Sequence, residues 1–156
     1  MIKTCVSTYS FGELIDDSRL GIYGVLDKAA EMGFSGIEFV DGDPVTLESA
    51  SKIRKHCENV GLTPVNLCTG ADFVKEDPEQ MKEEIDKVKH VIDVASELGV
   101  SMVRHDAGYA PFARKYNTGF EGALPCIAQA ILEITEYAQD KGIRTLTENH
   151  GFFSQD

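Results

Sequence analysis

Three consecutive residues, Glu148, Asn149 and His150, carry side chains that could do chemistry. They follow the segment 143–147, whose pattern is typical of a buried strand, and they precede Gly151. An unpaired carboxylate is costly to bury, whereas ionisable groups at strand ends form the active sites of parallel α/β folds. We therefore expect Glu148 either to bind a cation or to pair with an arginine, for which Arg104 is the first choice.

Polar side chains also occur where three other predicted strands end. A divalent metal with oxygen and nitrogen ligands would suit such a set, and so would proton transfer next to a carbonyl. Each residue has a structural alternative, since a carboxylate can pair with Lys or Arg and an imidazole can bond to backbone. The predicted strand-end residues are Glu38, Asp41, Asn66, Cys68, Asp72, Arg104, His105 and Asp106.

The elements that position these residues repeat along the chain. Four times a helical pattern ends in a glycine and a short apolar strand follows, at Gly33, Gly61, Gly99 and Gly142. Glycine just past a helix adopts the left-handed conformation that closes the last turn. Strands that alternate with helices in this way indicate parallel pairing with right-handed crossovers.

The repeat predicts five strands and four helices in a single domain over residues 1–156. We expect helix two to be capped by Thr46, helix three to open at Asp77-Pro78-Glu79, and residues 8–17 to form a loop. The first and fourth helices are predicted over residues 20–32 and 124–141. The strands are predicted over residues 3–7, 36–40, 64–68, 101–106 and 143–148, the last one covered on both sides.

The composition excludes several classes of function. A formal net charge of −11 argues against nucleic acid and against anionic membranes, because both are bound through Lys and Arg clusters. No apolar run is long enough to span a membrane, and the N-terminus lacks the apolar core of a signal peptide. The four cysteines show no zinc-binding spacing, so we expect reduced, mostly buried thiols and a cytoplasmic protein. Walker, GxGxxG and GxSxG motifs are absent.

Several segments resemble one known family. The helix end 136–142 with the following segment 143–151, which ends in Glu-Asn-His-Gly, is similar to the fifth βα unit of the xylose isomerase-like TIM barrels. These include the sugar phosphate isomerases/epimerases. The segment 29–38, which ends in Gly-Ile-Glu, and the segment 97–100 also match. The resemblance implies a (β/α)8 barrel, of which this chain is expected to contain the first five strands.

The resemblance also implies an activity. Members isomerise or epimerise sugars, sugar phosphates or cyclic polyols by removing a proton next to a carbonyl, through an enediolate. A divalent metal (Mn, Mg, Zn or Co) is implied, with Glu148 matching its first ligand and the other ligands on later strands. Glu148 and His150 are then the catalytic residues, and the substrate-binding residues are Glu38, Asn66, His105 and Asn149. We expect this chain alone to lack the full site and to be inactive.

Two other interpretations compete with this one. A non-catalytic half-barrel module would assemble with itself or with a complementary chain, since open sheet edges favour pairing. A homo-oligomer is expected under either interpretation, beside a small-molecule sugar as the substrate. A flavodoxin-like sheet is less consistent with the sequence, because strand one ends in Ser7-Thr8-Tyr9 rather than in an acidic cluster.

Overall fold

The computed structural model describes residues 2–42, 44–75, 77–108 and 119–148. The chain divides into two compact units. The first contains Met1–Cys68 and Asp93–Met102, and the second contains Thr69–Ile92 and Val103–Asp156. The single domain over residues 1–156 stays a prediction.

Five parallel strands form one sheet, so the predicted α/β architecture is confirmed. The strand order is the order in the chain, β1-β2-β3-β4-β5. Each predicted strand is present, and β2 has the predicted bounds. The strands are β1 (Cys5–Ser7), β2 (Gly36–Val40), β3 (Thr63–Thr69), β4 (Met102–His105) and β5 (Arg144–Thr147).

Four α-helices alternate with these strands in the described ranges, as the repeat predicts. They are α1 (Gly21–Glu31), α2 (Leu47–Val60), α3 (Pro78–Leu98) and α4 (Gly119–Gln139). All four predicted glycines have positive φ, between 70° and 85°. None of these helices is long and apolar enough to cross a membrane.

Two predicted helix starts are confirmed in atomic detail. At α2, the Ser49 hydroxyl accepts a hydrogen bond from the Thr46 N–H at 2.9 Å, which completes a capping box. At α3, the Asp77 carboxylate accepts the Glu79 N–H at 2.9 Å. Both caps satisfy amide groups that the first helical turn leaves without a partner.

Two predicted elements were wrong. Residues 8–17 were expected to be a loop, but Thr8–Ile15 form a 3-10 helix, η1, which is kinked at Gly12 (φ 50°). Ser7 caps η1, since its hydroxyl accepts the Tyr9 N–H at 3.3 Å. Helix α4 begins at Gly119 and runs through Pro125, whereas its start was predicted near Leu124.

The first unit contains β2 together with η1, α1 and α2. Helix α1 contacts both α2 and η1, and β2 contacts η1. Buried apolar side chains recur at helical spacing in α1 and α2. The fully buried side chains of α1, β2 and α2 are Val25, Leu26, Ala29, Ile37, Phe39, Ala50, Ile53 and Cys57.

Candidate functional site

Glu38 and Asn66, two predicted substrate-binding residues, lie side by side on β2 and β3. The Asn66 amide Nδ2 donates a hydrogen bond to Glu38 Oε2 at 3.0 Å. A register shift brings them together, because β3 pairs Pro64 with Ile37 but Asn66 with Glu38, which leaves Val65 as an extra residue. Such a bulge re-aims the side chains beyond it.

The amide oxygen of Asn66 has no hydrogen-bond partner in the part of the chain that the structure describes. Asn66 is 8% exposed, and its Oδ1 atom is buried without a donor. The amide orientation follows from Glu38, since a carboxylate oxygen requires the NH2 group as its neighbour. An orphan buried acceptor costs roughly 1–3 kcal/mol. Asn66 Oδ1 is thus available to a ligand that donates a proton.

In the second unit, Arg104 joins two carboxylates. Its Nη1 atom lies 3.0 Å from Asp106 Oδ1, and its Nε atom lies 3.1 Å from Glu148 Oε2. The predicted ion pair between Arg104 and Glu148 is therefore present. Asp106 is 6% exposed, so the guanidinium group compensates a carboxylate that has lost most of its water.

Glu148 is more exposed than expected. Its side chain is 53% exposed, and three of the four residues of β5 are exposed as well. The prediction that this strand is covered on both sides was wrong. The physical reason is that β5 lies last in the strand order, so it is an edge strand among the described residues.

His105, at the end of β4, is completely buried. Its Nδ1 atom lies 2.7 Å from the Asp106 backbone oxygen. A carbonyl only accepts, so Nδ1 carries the proton, and in the neutral ring Nε2 is the acceptor. That Nε2 atom has no hydrogen-bond partner among the described residues. The Phe73 ring meets the imidazole edge-on, with ring centroids 5.8 Å apart.

The surroundings of His105 favour the neutral ring. Burial lowers the pKa of His105 below its usual 6.5, and the charge of Arg104 acts in the same direction. The hydrogen bond to the Asp106 carbonyl and the Asp106 charge oppose this shift; both effects are smaller than that of burial and larger than that of the Arg104 charge. The result is a proton acceptor that faces the interior at the carboxyl end of a parallel strand.

Sequence reasoning missed the ion pairs that hold the loop after β3. Lys75 lies 2.9 Å from the Asp72 carboxylate, and the Asp72 N–H donates to Glu84 Oε1 at 3.1 Å. Lys87 lies 3.3 Å from Glu84 and donates to the Gly70 carbonyl at 2.8 Å. The helix pattern of α3 predicts only surface i,i+4 pairs, so the link back to the loop has no sequence signal.

The same loop is bonded to the residues after β4, through the Phe73 N–H and the Ala107 carbonyl at 3.0 Å. With the Phe73–His105 ring contact, this bond connects the two sets of ion pairs within the second unit. We call the charged and imidazole side chains of these sets the strand-end cluster: Asp72, Lys75, Glu84, Lys87, Arg104, His105, Asp106 and Glu148.

A cleft of about 830 Å³ lies in the first unit, and sequence reasoning did not find it either. It is bordered by η1 and by the turn that follows β2. Because residues 8–17 were taken as a plain loop, no cavity wall was expected there. The lining residues are Thr8, Tyr9, Gly12, Ile15, Asp16, Asp17, Ile22, Val40, Asp41, Pro44 and Val45.

The described residues do not form a metal centre. In the ranges that the structure covers, no three His, Cys, Asp or Glu side chains are grouped to hold an ion. Glu148 could supply one carboxylate ligand, but its Oε2 atom already lies against Arg104. The other predicted residues of the same segment, Asn149 and His150, lie outside the described residues.

Comparison with known proteins identifies the family. The family model described as xylose isomerase-like TIM barrel matches residues 26–156. The chain belongs to the xylose isomerase-like TIM barrel family. The expectation drawn from the Gly-Ile-Glu and Glu-Asn-His-Gly segments is thereby confirmed, and the five parallel strands represent part of such a barrel. A search of curated protein sequences found no match.

Solved structures of similar fold include several sugar epimerases. D-psicose 3-epimerase, solved with D-fructose, is 18% identical with a TM-score of 0.74, over 99% of this chain and 55% of that one. The 3-keto-D-glucoside 4-epimerase YcjR from E. coli is 15% identical with a TM-score of 0.69, over 93% of this chain and 54% of that one. The zinc-bound IOLI protein is 18% identical with a TM-score of 0.72, over 94% of this chain and 51% of that one. This chain therefore spans about half the length of these proteins.

Proposed function

We propose that this chain carries part of the site of an isomerase or epimerase of a sugar, sugar phosphate or cyclic polyol. The observation that carries the proposal is that two buried acceptor atoms, Asn66 Oδ1 in the first unit and His105 Nε2 in the second, have no hydrogen-bond partner among the described residues. They lie on β3 and β4, whose carboxyl ends face the active site in barrels of this type. The family membership supports the same function.

The chemistry of the two acceptors suits a polyhydroxylated ligand. Each sugar hydroxyl has one proton to donate, and both Asn66 Oδ1 and His105 Nε2 can only accept. A hydroxyl bonded to either atom would remove the desolvation cost of an orphan acceptor, roughly 1–3 kcal/mol for each. Substrate binding is thus favoured by groups that destabilise the free protein.

The proton chemistry is assigned to neighbouring side chains. His105 Nε2, unprotonated and shielded from water, would accept a proton from a substrate hydroxyl as the carbonyl shifts along the chain of the sugar. Glu148 would remove the proton next to the carbonyl, and Arg104 would orient its carboxylate through the 3.1 Å contact. The roles of Asn149 and His150 remain those predicted from the sequence.

A divalent metal is part of the proposal for the complete site. The zinc in the IOLI structure supports it, and a bound ion would polarise the substrate carbonyl as a Lewis acid. Among the described residues, Glu148 is the ligand that the family resemblance implies, and no group of three ligating side chains is present there. Proton transfer and binding are assigned to protein atoms alone.

Nitrogen NMR of the histidine rings tests the proposal. In chain labelled with ¹⁵N-histidine, saturating ketose or cyclic keto-polyol should shift the His105 Nε2 signal, because a hydrogen bond replaces an unshared lone pair. The signals of His56 and His90 should not move. The His105→Asn variant, which lacks the His105 signal, identifies that signal in the spectrum. If none of the ketoses and cyclic keto-polyols tested shifts the His105 Nε2 signal, the proposal is wrong.

The same samples in D2O separate catalysis from binding. Deuterium incorporation at the carbon next to the carbonyl would show that the chain transfers protons by itself. Saturable binding without exchange, with Mn²⁺, Mg²⁺, Zn²⁺ or Co²⁺ added, is expected of this chain if its site is incomplete, and it would equally fit the non-catalytic half-barrel module. The half-exposed Glu148 and its bond to Arg104 are the observations that keep this alternative open.

A further inference from the structure

We infer that the site takes an uncharged ketose or keto-polyol and discriminates against the phosphate ester of the same sugar. The reason is that every cationic side chain of the strand-end cluster is held by a carboxylate, and the buried imidazole beside them presents an acceptor. This inference rests on the proposed function, and it narrows the substrate class that the family resemblance leaves open.

The charges of the strand-end cluster are paired throughout. Lys75 lies 2.9 Å from Asp72, and Lys87 lies 3.3 Å from Glu84. Arg104 is shared by two carboxylates, at 3.0 and 3.1 Å. The cluster thus contains four carboxylates and three cationic side chains, and it carries one net negative charge.

Phosphate recognition would compete with these pairs. Proteins bind phosphate through Arg and Lys donors, and the Arg guanidinium often forms bidentate hydrogen bonds with it. If Lys75 or Arg104 turned to a phosphate, Asp72 or Asp106 would lose that ion pair, and these side chains are only 5% and 8% exposed. Removal of one partner from a buried pair strongly destabilises a protein. The cluster therefore disfavours the binding of a phosphate group.

The buried imidazole disfavours a phosphate group at its own position. His105 Nε2 needs a donor, which a sugar hydroxyl supplies. A phosphate monoester has a second pKa of about 6 and is mostly dianionic at neutral pH, so its oxygens would meet the Nε2 lone pair without a proton between them. A neutral hydroxyl group satisfies this atom, whereas a phosphate group does not.

Paired titrations test the inference. Dissociation constants of neutral ketohexoses and of their 6-phosphates are measured with the whole chain by calorimetry, at about 20 mM and about 500 mM NaCl. At low salt the neutral sugar should bind at least about tenfold more tightly, since Coulomb repulsion is weakly screened there. The ratio should shrink at high salt, because added ions screen the repulsion.

Two variants with the same change of charge locate the effect. Glu148→Gln removes a negative charge from the cluster and should narrow the ratio at low salt severalfold. Glu133→Gln removes one from the outer pair of Glu133 with Lys89 and should leave the ratio unchanged. Tighter or equal binding of the phosphates, or a ratio that does not depend on salt, would overturn the inference. Failure of both classes to bind would instead overturn the proposed function, and the inference with it.

Discussion

The buried imidazole of His105 makes the stability of the folded chain depend on pH. In the folded chain, burial lowers the pKa of His105 below its usual 6.5, whereas in the unfolded chain the ring titrates normally. Below pH 6.5 the unfolded state therefore binds a proton that the folded state does not. The free energy of unfolding must fall as the pH falls from 6.5 towards the folded-state pKa, and above 6.5 this contribution is constant.

The magnitude follows from linkage. One group that is protonated only in the unfolded state changes the free energy of unfolding by at most about 1.4 kcal/mol per pH unit. Between about pH 7.5 and pH 5.5, one fully shifted histidine then removes up to about 1.4 kcal/mol. The other titratable groups are the same in the wild-type chain and in a variant that lacks only His105. Their contributions to the free energy of unfolding therefore cancel in the difference between the two proteins.

Urea unfolding of the wild-type chain and His105→Asn, followed by circular dichroism at several pH values, measures the effect. The variant loses the ring contact with Phe73 and should be less stable at pH 7.5 by roughly 1–3 kcal/mol. Its asparagine amide can still donate to the Asp106 carbonyl. The difference in stability between the two proteins should narrow as the pH falls to 5.5. If the two stability curves stay parallel, the imidazole is not buried as a neutral group.

Three further predictions concern packing, metal and assembly. Gly36→Ala should lower the free energy of unfolding by about 1–3 kcal/mol, because a Cβ atom would lie 2.7 Å from Cys5 Sγ and 3.0 Å from the Thr63 carbonyl oxygen; unchanged urea midpoints would contradict this close packing. Glu148→Gln should reduce the divalent metal that copurifies with the chain, by elemental analysis, and an equal content in both proteins would remove Glu148 as a ligand. The chain should sediment as a homo-oligomer in analytical ultracentrifugation, since the edge strand β5 is largely exposed; a monodisperse monomer would refute this.

The repeated elements were predictable because their signals are local. Each glycine at a helix end has the positive φ that the pattern requires. The strand Gly36–Val40 was placed without error, since a helix-ending glycine precedes it and the turn signal Asp41-Gly42 follows. The caps at Thr46 and Asp77 depend on residues within one turn of the helix. Such features need no knowledge of the tertiary structure.

Most contacts of the strand-end cluster could not be predicted from the sequence. The pair of Arg104 with Glu148 could be proposed, because a carboxylate near a buried strand needs a partner and few arginines were available. The bond between the Asp72 N–H and Glu84 joins a loop to a helix twelve residues later. Many other polar side chains could have made that contact, so nothing in the pattern selects Glu84.

The position of Asn66 shows where local reasoning stops. Alternation along a strand predicts only that residues 64, 66 and 68 share a face. Which residue of β2 faces Asn66 depends on the register, and the extra residue at Val65 shifts it between Ile37 and Glu38. A one-residue slip would turn the polar face of a strand to the opposite side. The contact between Asn66 and Glu38, and with it the orphan acceptor on which sugar binding is proposed, is therefore a property of the paired strands rather than of either segment.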